Sequence, residues 1–241
     1  MLEKAPISLI KDLKKQKRES SSLLFLDNFK IIKDAISAGL KPHCILVSDE
    51  SLNIWNSETV YKVDRQTIEQ LADSKTPQGV VCLIDYIQHI IEKPKTNFLV
   101  VDSLQDPGNV GTLIRTATAC GFEYVFLLDS VKVSNSKLVR SSVGTIFQSK
   151  VYSMTKDEFC KLANEWNLNL IMADMDGENI FKSSFDGIVG VVVGNEGQGV
   201  CDQIANLCYK TVKIPMVEGV ESLNASISGA IIMYEIAKNN F

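Results

Sequence analysis

At 241 residues, 45% of them apolar and 22% charged, the chain has a globular composition that excludes extended disorder, and it exceeds the roughly 100–150 residues of one domain, so two domains are expected. Its formal net charge of −4 argues against a protein that coats nucleic acid by charge alone, which takes many Lys/Arg–phosphate contacts, but leaves local basic sites open. No run approaches the roughly 18–20 apolar residues of a membrane span, and the charged N-terminus lacks the apolar core of a secretory signal, so a cytoplasmic protein without a membrane partner is expected.

In chain order, Lys11, Lys14, Lys15, Lys17 and Arg18 open a basic helix; read alone, this stretch is equally a solvated helix face. A strand follows at Leu23–Leu26, then a helix through Ile31, Ile32, Ala35 and Ile36 with Gly39 past its end, and a buried strand from Cys44 to Val47. The turn Thr76-Pro77-Gln78-Gly79 leads into an apolar strand, Val80–Ile84. The apolar pattern fades between Gln88 and Asn97, which reads as a linker between domains 1–90 and 98–241.

From Phe98 onward strands and helices alternate. Strands are expected at 98–101, 124–128, 151–154, 170–173 and 188–193, with a last one ending at Ile214-Pro215. Helices are expected around Val110–Ala117, Ser136–Ser142 and Asp157–Trp166, as a short segment after 193, and from about Ser222 to the end. This α/β alternation predicts a parallel sheet covered on both faces, with ligands beyond the carboxyl ends of its strands.

Three polar loops fall at such ends. The first, Asp106-Pro107-Gly108-Asn109-Val110-Gly111, joins a buried strand to a helix on which Val110, Leu113, Ile114 and Ala117 form the apolar stripe. At about 100° per residue Arg115 lies opposite that stripe, so it meets solvent or substrate. The second, Gly194-Asn195-Glu196-Gly197-Gln198-Gly199, has glycines that permit positive φ and close backbone approach to a ligand. Its spacing is neither a dinucleotide fingerprint nor a P-loop. The third runs from Ile214-Pro215-Met216 to Glu221-Ser222-Leu223-Asn224, where Ser222 or Asn224 could simply cap a helix. The six cysteines form no C-x-x-C pair and only His43 and His89 occur, so neither a metal site nor a histidine-based nucleophile is expected.

In this order the three strings resemble the motifs of the SpoU-type (TrmH-like) RNA ribose 2′-O-methyltransferases of the SPOUT class. Asp106-Pro107-x-Asn109-x-Gly111-x-x-x-Arg115 is similar to the first, Gly194-Asn195-Glu196-Gly197-x-Gly199 to the second, and Ile214-Pro215-Met216 with Ser222-Leu223-Asn224 to the third. Arg140-Ser141-Ser142 with Gly144 and Phe147 resembles an intermediate element. The N-terminal part is similar to the small α/β RNA-binding domain of ribosomal-RNA members, except that Asp27-Asn28 stands where those members commonly carry Glu-Gly.

The resemblance implies a parallel-sheet SPOUT catalytic domain with a C-terminal trefoil knot, preceded by that RNA-binding domain, and a homodimer using S-adenosyl-L-methionine without a metal. It implies cofactor contacts at Gly194, Asn195, Gly197, Ile214, Met216, Ser222 and Leu223, and catalytic roles for Arg115, Asn109, Glu196, Ser222 and Asn224. The substrate implied is structured RNA, ribosomal before transfer RNA. Lowering an arginine pKa from above 12 to neutrality takes at least about 5 units, or roughly 7 kcal/mol, which favours Arg115 as an orienting, charge-stabilising cation over a general base. The alternatives are a non-catalytic RNA-binding protein of the same fold and, more distantly, a nicotinamide oxidoreductase, whose fingerprint is missing at the first strand of the second domain.

Overall fold

The structure, a computed structural model, describes residues 2–19, 23–55, 59–86 and 89–238; Gln88, at the head of the expected linker, lies outside them. The chain divides into two units, Met1–Ile87 with Ser134–Phe147, and Gln88–Val133 with Gln148–Phe241.

In the first unit, α1 (Ile7–Glu19), α2 (Phe29–Ser37) and α3 (Arg65–Leu71) accompany β1 (Leu23–Leu26), β2 (Pro42–Val47), β3 (Val60–Lys62) and β4 (Val80–Asp85). The strands form one sheet in the order β1-β4-β2-β3, antiparallel except for β2 with β3. Leu13 of α1, Phe25, Leu46, Ile68 and Leu83 share its core. Asp27 and Asn28 both serve the structure at the start of α2. The buried Asp27 carboxylate accepts the N–H groups of Asp73 and Ser74 at 2.8 and 2.7 Å, and Asn28 caps the helix by accepting from Lys30 and Ile31.

The helix α5 (Ser136–Ser141) forms where the sequence expects one, yet it groups with this first unit and not with the sequence flanking it. Val143 and Gly144 behind it both have positive φ, 52° and 84°. A Cβ at Gly144 would sit 2.5 Å from Asp34 Oδ2, so only glycine fits against α2.

The second unit carries β5 (Phe98–Asp102), α4 (Pro107–Ala119), β6 (Tyr124–Leu128), β7 (Lys150–Met154), α6 (Lys156–Trp166), β8 (Leu170–Asn179), β9 (Gly190–Val193), α7 (Asp202–Ala205), β10 (Cys208–Lys213) and α8 (Ala225–Ala237). Its six strands lie in the order β10-β8-β9-β5-β6-β7, all parallel. Phe98, Val100, Phe126 and Val192 point to one face, where they meet Phe159 of α6 and Ile204 of α7. Successive strand residues alternate, so Val101, Val191 and Val193 point to the other face. There Gly229 of α8 comes so close to Leu113 and Val193 that a Cβ would meet them at 2.5 and 3.0 Å. The absence of a side chain at Gly229 thus lets α8 pack closely on α4.

Two expectations need correction. The last helix begins at Ala225, not about Ser222, because Asn224 is its N-cap. The strand expected to stop at Ala173 continues to Asn179: β10 pairs with it through Thr211↔Met172 and then jumps to Val212↔Glu178, leaving residues 173–177 as an excursion. Among the described residues no helix is long and apolar enough to cross a membrane, and no cluster of potential metal ligands occurs.

Candidate active site

The site follows from strand order. From β5 the chain runs outward through β6 and β7, then crosses to the other side to build β8, β9 between β8 and β5, and finally β10 at the edge, so the connections leaving the adjacent β5 and β9 diverge and open a crevice at their carboxyl ends. The loop after β5 is set by Ser103, whose φ of 60° turns the chain sharply, and by Asp106, which caps α4 by accepting the Asn109 N–H at 2.9 Å. Pro107 occupies the first helical turn, where no intrahelical N–H is lost.

Asn109 ties all three loops together. Its Nδ2 donates to Glu196 Oε1 at 2.5 Å. Its Oδ1 accepts from Asn224 Nδ2 at 3.1 Å, with Ser226 Oγ lying 3.3 Å away. Asn224 Oδ1 in turn accepts from the Ser226 and Ile227 backbone and from Ser226 Oγ, capping α8. One side-chain amide, using both its donor and its acceptor, therefore fixes the second loop and the start of the last helix relative to the first loop.

The second loop closes on itself. Asn195 and Gly199 exchange backbone hydrogen bonds at 3.0 and 2.9 Å, while the Asn195 side chain accepts from Gly197 N–H and donates to Ser103 O. A Cβ at Gly194 would overlap the backbone of Gly199 and Val200. Gly194 is therefore required by the loop's own closure. Of the three glycines only Gly199 has positive φ, 70°.

Asp102, fully buried at the end of β5, holds the far end of that loop. It accepts the Cys201 N–H at 2.8 Å and pairs with Lys156 at 3.2 Å. Burial pushes its carboxyl up, but the hydrogen bonds from Cys201 and Ser103 and the Lys156 ammonium outweigh this and hold it below the ordinary range. Desolvation pulls the Lys156 ammonium down, but its hydrogen bond and charge attraction to Asp102 outweigh this and raise it.

A cavity of about 650 Å³ opens at the carboxyl ends of β9 and β10, beside the excursion in β8, within the range of roughly 300–1,000 Å³ typical of ligand sites. Gly194, Asn195, Glu196, Ile214, Met216, Ser222, Leu223 and Asn224 line it, and Gly197 does not. Sequence reasoning missed Asp174 and Met175, which the excursion in β8 brings to its wall. The readable signal was a polar Asp174-x-Asp176-Gly177 turn at a strand's carboxyl end. It also missed Asp102 and Ser226, whose roles depend on partners remote in sequence.

The carboxylates of Asp174, Glu196 and Glu218 against the single ammonium of Lys213 suit a cationic ligand, while Ile214, Leu223 and Ile232 offer apolar surface to a flat one. Arg115 stands apart: it is exposed on the outer face of α4 beside Thr112, outside both the cavity lining and the Asn109 cluster. Helix geometry explains this, since α4 carries Arg115 about 9 Å along its axis from Asn109.

The model of the SpoU rRNA Methylase family matches residues 96–234, and that of the MRM3-like substrate binding domain matches residues 6–82. The chain is 25% identical over 244 residues to the 23S rRNA (guanosine(2553)-2′-O)-methyltransferase RlmP of Bacillus subtilis, covering 98% of both. It is 30% identical over 188 residues to an uncharacterized tRNA/rRNA methyltransferase of Synechocystis, covering 75% of this chain and 68% of that protein. In fold it is similar to the AdoMet-bound rRNA methyltransferase of Sinorhizobium meliloti, with a TM-score of 0.85 at 20% identity over 99% of this chain and 98% of the other.

Proposed function

The chain belongs to the SpoU rRNA methylase family of RNA 2′-O-methyltransferases, and on that premise we propose that it methylates a ribose 2′-hydroxyl of ribosomal RNA. The observation that carries the site is the Asn109 hub, which joins the three loops through Glu196 and Asn224, both of which line one cavity. S-adenosyl-L-methionine, the family's donor, supplies an electrophilic methyl on a sulfonium. Gly194, Asn195, Ile214, Met216, Ser222 and Leu223 would hold it, with the carboxylates of the lining favouring its positive charge.

Catalysis by this chain's residues is then mainly placement and electrostatics. Asn109 holds Glu196 and Asn224 in register, and Ser222 and Asn224 shape the side of the cavity nearest the last helix. Arg115, a permanent cation with a planar fork of donors, orients a phosphate or ribose oxygen and stabilises the charge that develops on the attacking hydroxyl. Its distance from the cavity lining accords with an active site shared between the subunits of a homodimer. Residues 1–90 form the RNA-reading domain in this proposal and residues 98–241 the catalytic domain, whose C-terminal part is knotted as family membership implies. Coverage of nearly all of RlmP, and the match to a substrate binding domain, favour ribosomal over transfer RNA; the setting is cytoplasmic.

The test is transfer of labelled methyl groups from S-adenosylmethionine to ribosomal and transfer RNA assayed separately, followed by digestion to nucleosides. A 2′-O-methylated nucleoside from ribosomal RNA is expected. Donor binding without transfer to either RNA would replace this reading with the non-catalytic RNA-binding one.

A further inference from the structure

The segment Lys11–Arg18 is the densest run of basic residues in a chain of net charge −4. The fold assigns these residues unequal tasks. Lys17 turns inward: its Nζ donates to Leu71 O and Ala72 O at 2.6 and 2.7 Å and pairs with Asp73 at 3.0 Å. All three of its donors are thereby used, at the carboxyl end of α3, where a cation is favoured. Lys17 thus pins α1 to α3, while Leu13, Leu9 and Ile10 sink into the core.

The opposite face of α1 presents Lys11, Lys15 and Arg18, all exposed. At about 100° and 1.5 Å per residue these three fall within an arc of about 60° and are spaced about 6 and 4.5 Å along the axis. Asp12, also exposed, is turned about 100° from Lys11 and about 60° from Lys15, so it borders this face at one edge and does not interrupt the row. Beside Arg18, a cleft of about 390 Å³ is lined by Lys14, Lys17, Arg18 and Gln70. With Lys17 committed to α3, the ammonium of Lys14, the guanidinium fork of Arg18 and the amide of Gln70 are the groups positioned to donate into it.

We propose that this face of α1, with the cleft as its deepest point, seats consecutive phosphates of the RNA substrate, an inference that rests on the chain acting on RNA. A row of cations at this spacing matches a polymer with repeating negative charge. A single anion would need the cleft alone. α1 has no aromatic residue, so the surface offers no stacking platform for bases and reads backbone, independent of sequence. Ile7 is the one large apolar side chain strongly exposed on α1, too little for insertion into a lipid surface.

The test uses the full chain with Lys11→Glu, Lys15→Glu and Arg18→Glu combined, and a second variant with glutamine at the same positions. Binding of a fluorescently labelled RNA hairpin is measured across a salt series, with methyl transfer to unmodified ribosomal RNA at saturating donor. Because each phosphate contact contributes about 0.7–0.9 to the slope of log affinity against log salt, both variants, which remove three cations, should lose about 2 to 3 from that slope. KM for RNA should rise at least tenfold, with kcat and the melting temperature unchanged. Wild-type affinity and slope in both variants would overturn the proposal, as would a lowered kcat at unchanged KM, or loss of binding to anionic phosphatidylglycerol vesicles with RNA binding intact. If the wild-type chain methylates no RNA, the functional reading fails first and takes this one with it; activity with an unaltered salt slope removes the α1 seat alone.

Discussion

Arg115 and Asp102 are both charged residues of the second unit, but they depend on their surroundings in opposite ways. Arg115 is exposed and packs no core, so Arg115→Ala should leave the melting temperature and the affinity for S-adenosylmethionine unchanged. Single-turnover methylation with saturating donor should fall on the order of 100- to 1000-fold. Arg115→Lys should recover little, since an ammonium lacks the planar fork; near-wild-type rates in Arg115→Ala would exclude it from the chemistry. Asp102, by contrast, is buried and held below its ordinary pKa. A depressed carboxyl contributes stability that is present above the unfolded value, near pH 4, and is lost as pH falls through the folded value. Asp102→Asn should therefore cost up to about 3 kcal/mol at neutral pH, a cost that shrinks in acid, where the wild-type carboxyl also loses its charge. Denaturant unfolding on both sides of pH 4 checks this, and a pH-independent difference would contradict it. Helical spacing alone was enough to place Arg115 opposite the apolar stripe. It could not show that Asp102 reaches Lys156 and Cys201, because those contacts span 54 and 99 positions along the chain.

Among the elements, the second loop changes meaning once its geometry is known. Its glycines suggest a backbone opened for a ligand, whereas Gly194 is pressed against the loop's own return at Gly199 and Val200. Gly194→Ala should thus destabilise the fold by about 2 kcal/mol and weaken donor binding together. At Gly197 an added Cβ would have its nearest neighbour, Asn195 Oδ1, 3.6 Å away, an ordinary contact. Gly197→Ala should therefore leave melting temperature and calorimetric donor affinity both unchanged. Lost affinity in a stable Gly197→Ala variant would show that Gly197 meets the donor after all. The strand β8 was legible only to Ala173, because its five-residue excursion breaks the apolar run that marks a strand. The pairing of Val212 with Glu178 restores the strand beyond the excursion, and a pairing partner cannot be read from local pattern.

For the molecule as a whole, the grouping of Ser134–Phe147 with the first unit alters what truncation should do. Removing residues 1–90 deletes Asp34 and Lys30, against which Gly144 and Val143 are packed. The cavity residues all belong to the second unit. The truncated chain should therefore still bind S-adenosylmethionine, with a melting temperature lower by more than about 5 °C and rapid amide exchange across residues 136–141. Unchanged protection there would mean that the segment holds its shape without the first unit.

The class of fold, the strand–helix order and the three loops are all written in local periodicity and in turn residues, whose preferences act over a few positions, and so they could be read before any strand was paired. Arg115's outward face was legible for the same reason. Folding was needed to make Asn109 the hub of the three loops, to close the second loop on Gly194 and to bring Asp174 to the cavity. It also divided the basic residues of α1, turning Lys17 into scaffold and leaving Lys11, Lys15 and Arg18 on the surface. Each of those outcomes depends on which strands and helices become neighbours, and neighbours are chosen by burial across the whole chain, which no local window contains.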